Sequence, residues 1–236
     1  FSRRILLSTP ARPRRRRNDS RYLDSKREAG HKKSKKREVT VGIIYALDRT
    51  GEDGWTMVDK HYVARLGDRE ATMAHLGDKL EGLDREPEQI IFLSDGAPQY
   101  ADLCREHLPQ ATHVIDYYHV LEYIWGAAGA VRGDDQLQHE AWIRLLKQFL
   151  CQGQPHLVVT MLEAELAKIP KRGPGNKGRR KALAAAIGYI DKRREMMPYD
   201  ELLDEGLEIV SGAIESAVRQ VVQMRFDGPG MRWGNE

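Results

Sequence analysis

The chain is poor in the residues that staple or anchor a protein. Its two cysteines, Cys104 and Cys151, stand 47 positions apart without a neighbouring Cys or a CxxC pair. That spacing excludes a disulfide framework and a cysteine zinc site, and it suits a reducing compartment. No apolar run approaches the roughly 20 residues that span a bilayer, and aromatics make up only 7% of 236 residues. The composition is otherwise that of a soluble protein, 41% hydrophobic and 31% charged, and long enough for one sizeable core. The chain opens on Phe1 rather than Met, which reads as processing or a fragment.

Charge is present, but unevenly. Residues 1–38 hold 15 Lys and Arg against 4 Asp and Glu, a surplus of +11, and the remainder holds 23 against 31, or −8. A basic arm on an acidic body suits phosphate contact with nucleic acid. A solvated tail and an Arg-rich targeting peptide are the rival readings. With so little to bury, residues 1–37 are expected to be a disordered basic arm.

Regular structure is expected from Glu38. Val39–Leu47 is β-branched and stops at a turn-rich stretch, and Trp55–Leu66 reads as its hairpin partner. Met73, Leu76, Leu80 and Leu83 recur at helical spacing. The four apolar residues Ile90–Leu93 read as a strand buried on both faces. It ends on Ser94-Asp95-Gly96. A carboxylate at the C-terminal mouth of such a strand stands where α/β folds place ligand chemistry, or else it is a turn residue before the helix at Pro98. Thr112–Ile115 is a second short strand, ending at Asp116-Tyr117-Tyr118-His119. Beyond Gly133 only helical patterns appear, and residues 133–206 read as an all-helical insertion. Its linker, with Lys171, Arg172, Arg179, Arg180 and Lys181, is a second basic patch. Ser211 can cap a last helix running to about Arg225. That helix carries Glu215 among small residues, with Arg219 four positions on as a possible ion-pair partner.

The order of elements is that of an RNase H-like core: an α/β fold with a mixed sheet, flanking helices and a helical insertion before the last catalytic helix. Residues 38–132 form its first part, and 207–236 complete it. Such cores gather carboxylates at one sheet mouth to hold two divalent cations. Asp95, Asp116, His119 and Glu215 are accordingly expected to converge.

The segments Leu93–Ala97, Val114–His119, Ser211–Ala217 and Gly230–Trp233 resemble bacterial insertion-sequence DDE transposases. The group they are most similar to is the Kra family of the Mutator-like set. The resemblance implies metal-dependent cleavage and strand transfer at element ends, a polynucleotidyl transferase or nuclease activity. Asp95 and Glu215 would be catalytic and hold Mg²⁺ or Mn²⁺, and His119 would position the scissile strand. Asp116, His119, Lys171, Arg172, Arg179, Arg180, Lys181 and Arg219 are candidate DNA contacts. It further implies element-end and target DNA as partners, a homo-oligomer, no membrane, and a bacterial cytoplasmic, nucleoid-associated setting. In the family a first strand carries the first aspartate. Here only two strands are expected before Asp68, and Asp24 and Asp48 are the poor alternatives, so a truncated, inactive chain is expected. The rival readings are a non-catalytic DNA-binding remnant and a related RNase H-like nuclease or integrase.

Overall fold

The computed structural model of the chain describes residues 3–8, 39–49, 54–83, 87–132 and 136–218. Five strands, β1 (Arg3–Ser8), β2 (Val39–Arg49), β3 (Trp55–Leu66), β4 (Gln89–Ser94) and β5 (Thr112–Ile115), form one sheet in the order β3-β2-β1-β4-β5. The first three are antiparallel to one another in turn, while β1, β4 and β5 run parallel. This mixed sheet with flanking helices is compatible with an RNase H-like core.

The structure corrects the expectation that nothing before Glu38 is ordered and that a strand is missing. β1 is the central strand, and Ile5, Leu6 and Leu7 are buried in it. A strand covered on both faces is a short apolar run without alternation. Ile5-Leu6-Leu7 is such a run, preceded by two arginines and followed, from Arg12, by a basic stretch that dominates any average.

Alternation along the strands splits the core into two layers. Leu6, Ile43, Tyr45, Ile91 and Leu93 face one side. Ile5, Leu7, Ile44, Ile90 and Phe92 face the other, against α1 (Arg69–Glu81) and α2 (Pro98–His107). Asp68 starts α1 by accepting the Ala71 N–H at 2.8 Å, the usual way a short acidic side chain satisfies an orphan amide. Gly77 lets α1 approach the end of α2, for a Cβ there would lie 2.7 Å from the His107 carbonyl.

The first layer is covered by α3 (Tyr117–Arg132), α4 (Gln136–Cys151), α5 (Pro155–Lys168), α6 (Asn176–Asp191), α7 (Tyr199–Asp204) and α8 (Gly212–Val218). Arg179 Nε donates to the Ala130 carbonyl at 2.6 Å. Arg180 Nη1 donates to those of Leu166 and Ile169 at 2.9 and 2.6 Å. The start of α6 thus caps the ends of α3 and α5, where unpaired carbonyls and the helix dipole favour cations. At the N-terminal end of β1, Arg4 pairs with Glu205 at 2.6 Å and lies over the Trp55 ring. That clasp brings the chain leaving α7 back across the sheet. Among the described residues no helix is long and apolar enough to cross a membrane.

Candidate functional site

The register of β4 and β5 pairs Ser94 with Ile115. The next residues, Asp95 and Asp116, therefore leave the sheet side by side at its C-terminal mouth. Asp116 N–H closes the ladder on the Ser94 carbonyl at 2.8 Å.

Asp95 is half-buried and its Oδ1 accepts the Ala97 N–H at 2.9 Å. Its Oδ2 takes no protein hydrogen bond among the described residues. Gly96 supplies the turn in the left-handed region, at φ 69°, where a side chain would be strained. Two residues of the helical segment reach this loop. Tyr189 Oη donates to the Asp95 carbonyl at 2.8 Å, and Arg193 Nε to the Gly96 carbonyl at 2.8 Å. Burial pushes the Tyr189 phenol well above its usual range, with Arg193 opposing the shift, so it stays a donor.

Asp116 is treated differently. It is 6% exposed. Its Oδ1 accepts the His119 N–H at 2.9 Å, capping α3, and its Oδ2 accepts the Ser211 N–H at 2.6 Å, just before α8. Tyr117 N–H also donates to the Ile209 carbonyl at 3.0 Å. The segment that leads to Glu215 is thereby tied to the mouth, and Ile214 of α8 is buried in the adjoining layer. Arg219, expected four residues beyond Glu215, lies outside the described residues, as does the helix beyond Val218 and Asp24.

His119 sits in an aromatic cluster, edge-on to Tyr123 and Tyr189 at 5.8 and 5.6 Å. Tyr123 and Tyr189 stack with centroids 4.0 Å apart. The buried Nδ1 of His119 lies 3.7 Å from Glu122 Oε2 without a hydrogen bond, and Nε2 has no protein partner among the described residues. Below, Gly96 N–H donates to Ser94 Oγ at 3.1 Å, and the same hydroxyl shares a hydrogen bond of 2.7 Å with His113 Nε2. Burial and then Arg193 push His113 down to about 4, so the ring is neutral above that pH.

The remaining candidates lie elsewhere. Asp48 pairs with Arg3 at the N-terminal end of β1, whereas Ser8 at the other end pairs with Leu93. Five residues of strand, about 16 Å, separate Asp48 from the mouth, so it is no partner for Asp95. Lys171, Arg172 and Lys181 are exposed; Arg179 is exposed too, but its Nε serves a helix-end carbonyl, and Arg180 is half-buried. Glu70, Glu106 and His107 bring ligand atoms within 4.8 Å of one another, on the helices covering the other face.

Residues 31–158 match the family of DDE transposases of the ISL3 type, described as "Transposase". The chain belongs to that transposase family. The match corrects the group suggested by the short segments, which was the Kra family. It runs from before β2 into α5 and takes in Asp95, Asp116 and His119, while Glu215 lies beyond it. No curated protein and no solved structure matches the chain.

Sequence reasoning missed Tyr189, Arg193, His113 and Tyr199, whose hydroxyl donates to the Ile115 carbonyl at 2.8 Å. Tyr189 and Arg193 stand four apart at a helix end, a pattern shared by countless surface positions. Only the fold brings them to Asp95.

Proposed function

We propose that this transposase chain is a catalytic domain for metal-dependent DNA strand cleavage at insertion-sequence ends, followed by transfer of the freed 3′-hydroxyl to target DNA. The observation that supports this most is the Asp95 loop: one carboxylate oxygen is fixed and the other open, at the mouth of parallel strands to which the segment preceding Glu215 is tied.

Asp95 and Glu215 would hold Mg²⁺ or Mn²⁺. A bound cation supplies charge stabilisation to the attacking and leaving oxygens at phosphorus. The donor set fits one such ion, since Asp95 offers an open hard oxygen. Both oxygens of Asp116 already accept a backbone N–H. Its part is to set the start of α8 rather than to touch DNA. His119, held by its neighbours on one side, presents Nε2 to a DNA phosphate. Lys171, Arg172 and Lys181 add phosphate contacts, and an assembly of several copies acts on the two element ends.

A pair of ions needs a further bridging carboxylate, and Arg3–Ser8 contains none. Cleavage by the chain as it stands is therefore weak. That same observation favours the second reading, a DNA-binding remnant without catalysis; a related RNase H-like nuclease is the third. The test is Mn²⁺-dependent cleavage of element-end DNA by the unaltered chain, by Ser8→Asp and by Ser8→Asp with Asp95→Asn. A carboxylate at the end of β1 is expected to raise cleavage tenfold or more, and Asp95→Asn to abolish the gain. Cleavage indifferent to Asp95 sinks the site. DNA binding without cleavage in Ser8→Asp decides for the remnant.

A further inference from the structure

We infer that Tyr189 and Arg193, at the end of the helical segment, are positioning residues that aim the Asp95 carboxylate. This rests on the reading of Asp95 as a cation ligand and adds the device that holds it.

The clamp grips backbone, not side chain. The carbonyls of Asp95 and Gly96 are successive, and each accepts one bond of 2.8 Å, from Tyr189 Oη and Arg193 Nε. Fixing both carbonyls fixes two peptide planes in a row, and with them the torsions that decide where the Asp95 side chain leaves the loop. Its Oδ1 is then held by Ala97 N–H, which sets the place of Oδ2, the oxygen without a protein hydrogen bond among the described residues.

The two clamp residues are braced in turn. Arg193 Nη1 donates to the Tyr189 carbonyl at 3.2 Å, and the guanidinium lies 4.3 Å from the centroid of the Tyr189 ring. Tyr123 of α3 stacks on the Tyr189 ring, centroids 4.0 Å apart and 13° from parallel. The fit admits no side chain beneath it. A Cβ at Gly96 would lie 2.7 Å from Tyr189 Oη, 2.8 Å from Ile115 Cδ1 and 3.0 Å from Arg193 Nε.

A carboxylate that must bind a cation in one geometry gains from such support, because outer partners of ligands commonly change affinity by about 10–100-fold. The helical segment is thus the part that presets the ligand, although it supplies no ligand itself.

The experiment titrates Mn²⁺ into the isotopically labelled full chain and follows paramagnetic broadening of the Gly96 and Ala97 amides, alongside thermal unfolding. Asp95→Asn is expected to abolish the specific broadening. Tyr189→Phe keeps the ring and loses only the hydroxyl; it is expected to raise the half-saturating Mn²⁺ about tenfold. Arg193→Lys, which keeps the charge without the Nε–H, is expected to do likewise. Tyr62→Phe, on the far edge strand, leaves the titration unchanged. A purely structural role lowers the unfolding temperature without moving the Mn²⁺ midpoint, and that result overturns the inference while the cation site stands. If Asp95→Asn leaves the broadening intact, the cation site itself falls and the clamp with it. Should Tyr189→Phe not fold, Arg193→Lys decides by the same midpoint.

Discussion

The loops after β4 and β5 start from the same place and end in opposite states. Each is one residue beyond a paired strand end, and each begins with an aspartate. Asp95 has one oxygen bound and one open, and its loop is held from outside through its carbonyls. Asp116 has both oxygens bound by backbone N–H groups and holds other segments in place. Sequence position does not separate the two aspartates, but their hydrogen-bond partners do.

The largest effect that tests this contrast is on stability. Asp116→Ala strips two buried backbone amides of their acceptor, and hydrogen bonds to charged groups are worth about 1.5–3 kcal/mol each. A loss of about 3 kcal/mol is expected in urea unfolding. Asp95→Ala removes a single bond at a half-exposed turn, and the expected loss is about 1 kcal/mol or less. Equal losses would erase the distinction between the two loops.

The strip between the loops makes stability depend on pH. His113 is held neutral in the fold, down to about 4, against an unfolded value near 6.5. As pH falls below about 6.5 the unfolded chain takes the proton first, so stability declines until the folded ring protonates near 4. The expected decline over that window is about 3 kcal/mol; the stability is present in full above it, and the decline is absent from a His113→Asn variant. A flat profile in the parent chain would show that burial and Arg193 do not hold the His113 ring neutral.

A smaller loss is expected from Tyr199→Phe. Its hydroxyl serves the Ile115 carbonyl at the base of the Asp116 loop, in a fully buried setting. Removing one such bond costs about 1 kcal/mol, and calorimetry of the two proteins measures it.

How much of this was legible follows from where each signal lies along the chain. Ile90–Leu93 announced a buried strand because turn residues bound it on both sides. Ile5–Leu7 carried the same kind of signal and went unread, since two arginines precede it and a basic stretch follows. Asp95 was legible as a residue at a strand mouth, because chain order alone puts it there. The clamp by Tyr189 and Arg193 was not, for it joins positions 94 and 97 apart. Asp116 was visible as a member of the site, but its two acceptor bonds depend on where Ser211 lands, 95 residues away. Local pattern places elements and strand ends; it carries no information on which distant amide fills an oxygen.

The same contrast between filled and open groups recurs among the cations, where one variant is expected to leave stability almost unchanged. Arg180 and Lys181 are neighbours in a basic run that invites one reading as DNA contacts. Arg180 spends its guanidinium on the carbonyls of Leu166 and Ile169, while Lys181, like Lys171 and Arg172, is exposed. Arg180→Ala leaves the end of α5 without those donors, and a loss of about 1–2 kcal/mol is expected. Replacing Lys171, Arg172 and Lys181 together by Ala should change unfolding by less than about 0.5 kcal/mol. Its effect belongs to binding. Each phosphate neutralised contributes a slope of about −0.9 to the dependence of log K on log salt, so three lost contacts flatten the slope by up to about 2.7. Fluorescence anisotropy with duplex DNA at several salt concentrations reads it directly. If Arg180→Ala flattens that slope as much as the triple change does while stability holds, the division between capping and DNA-facing cations is wrong.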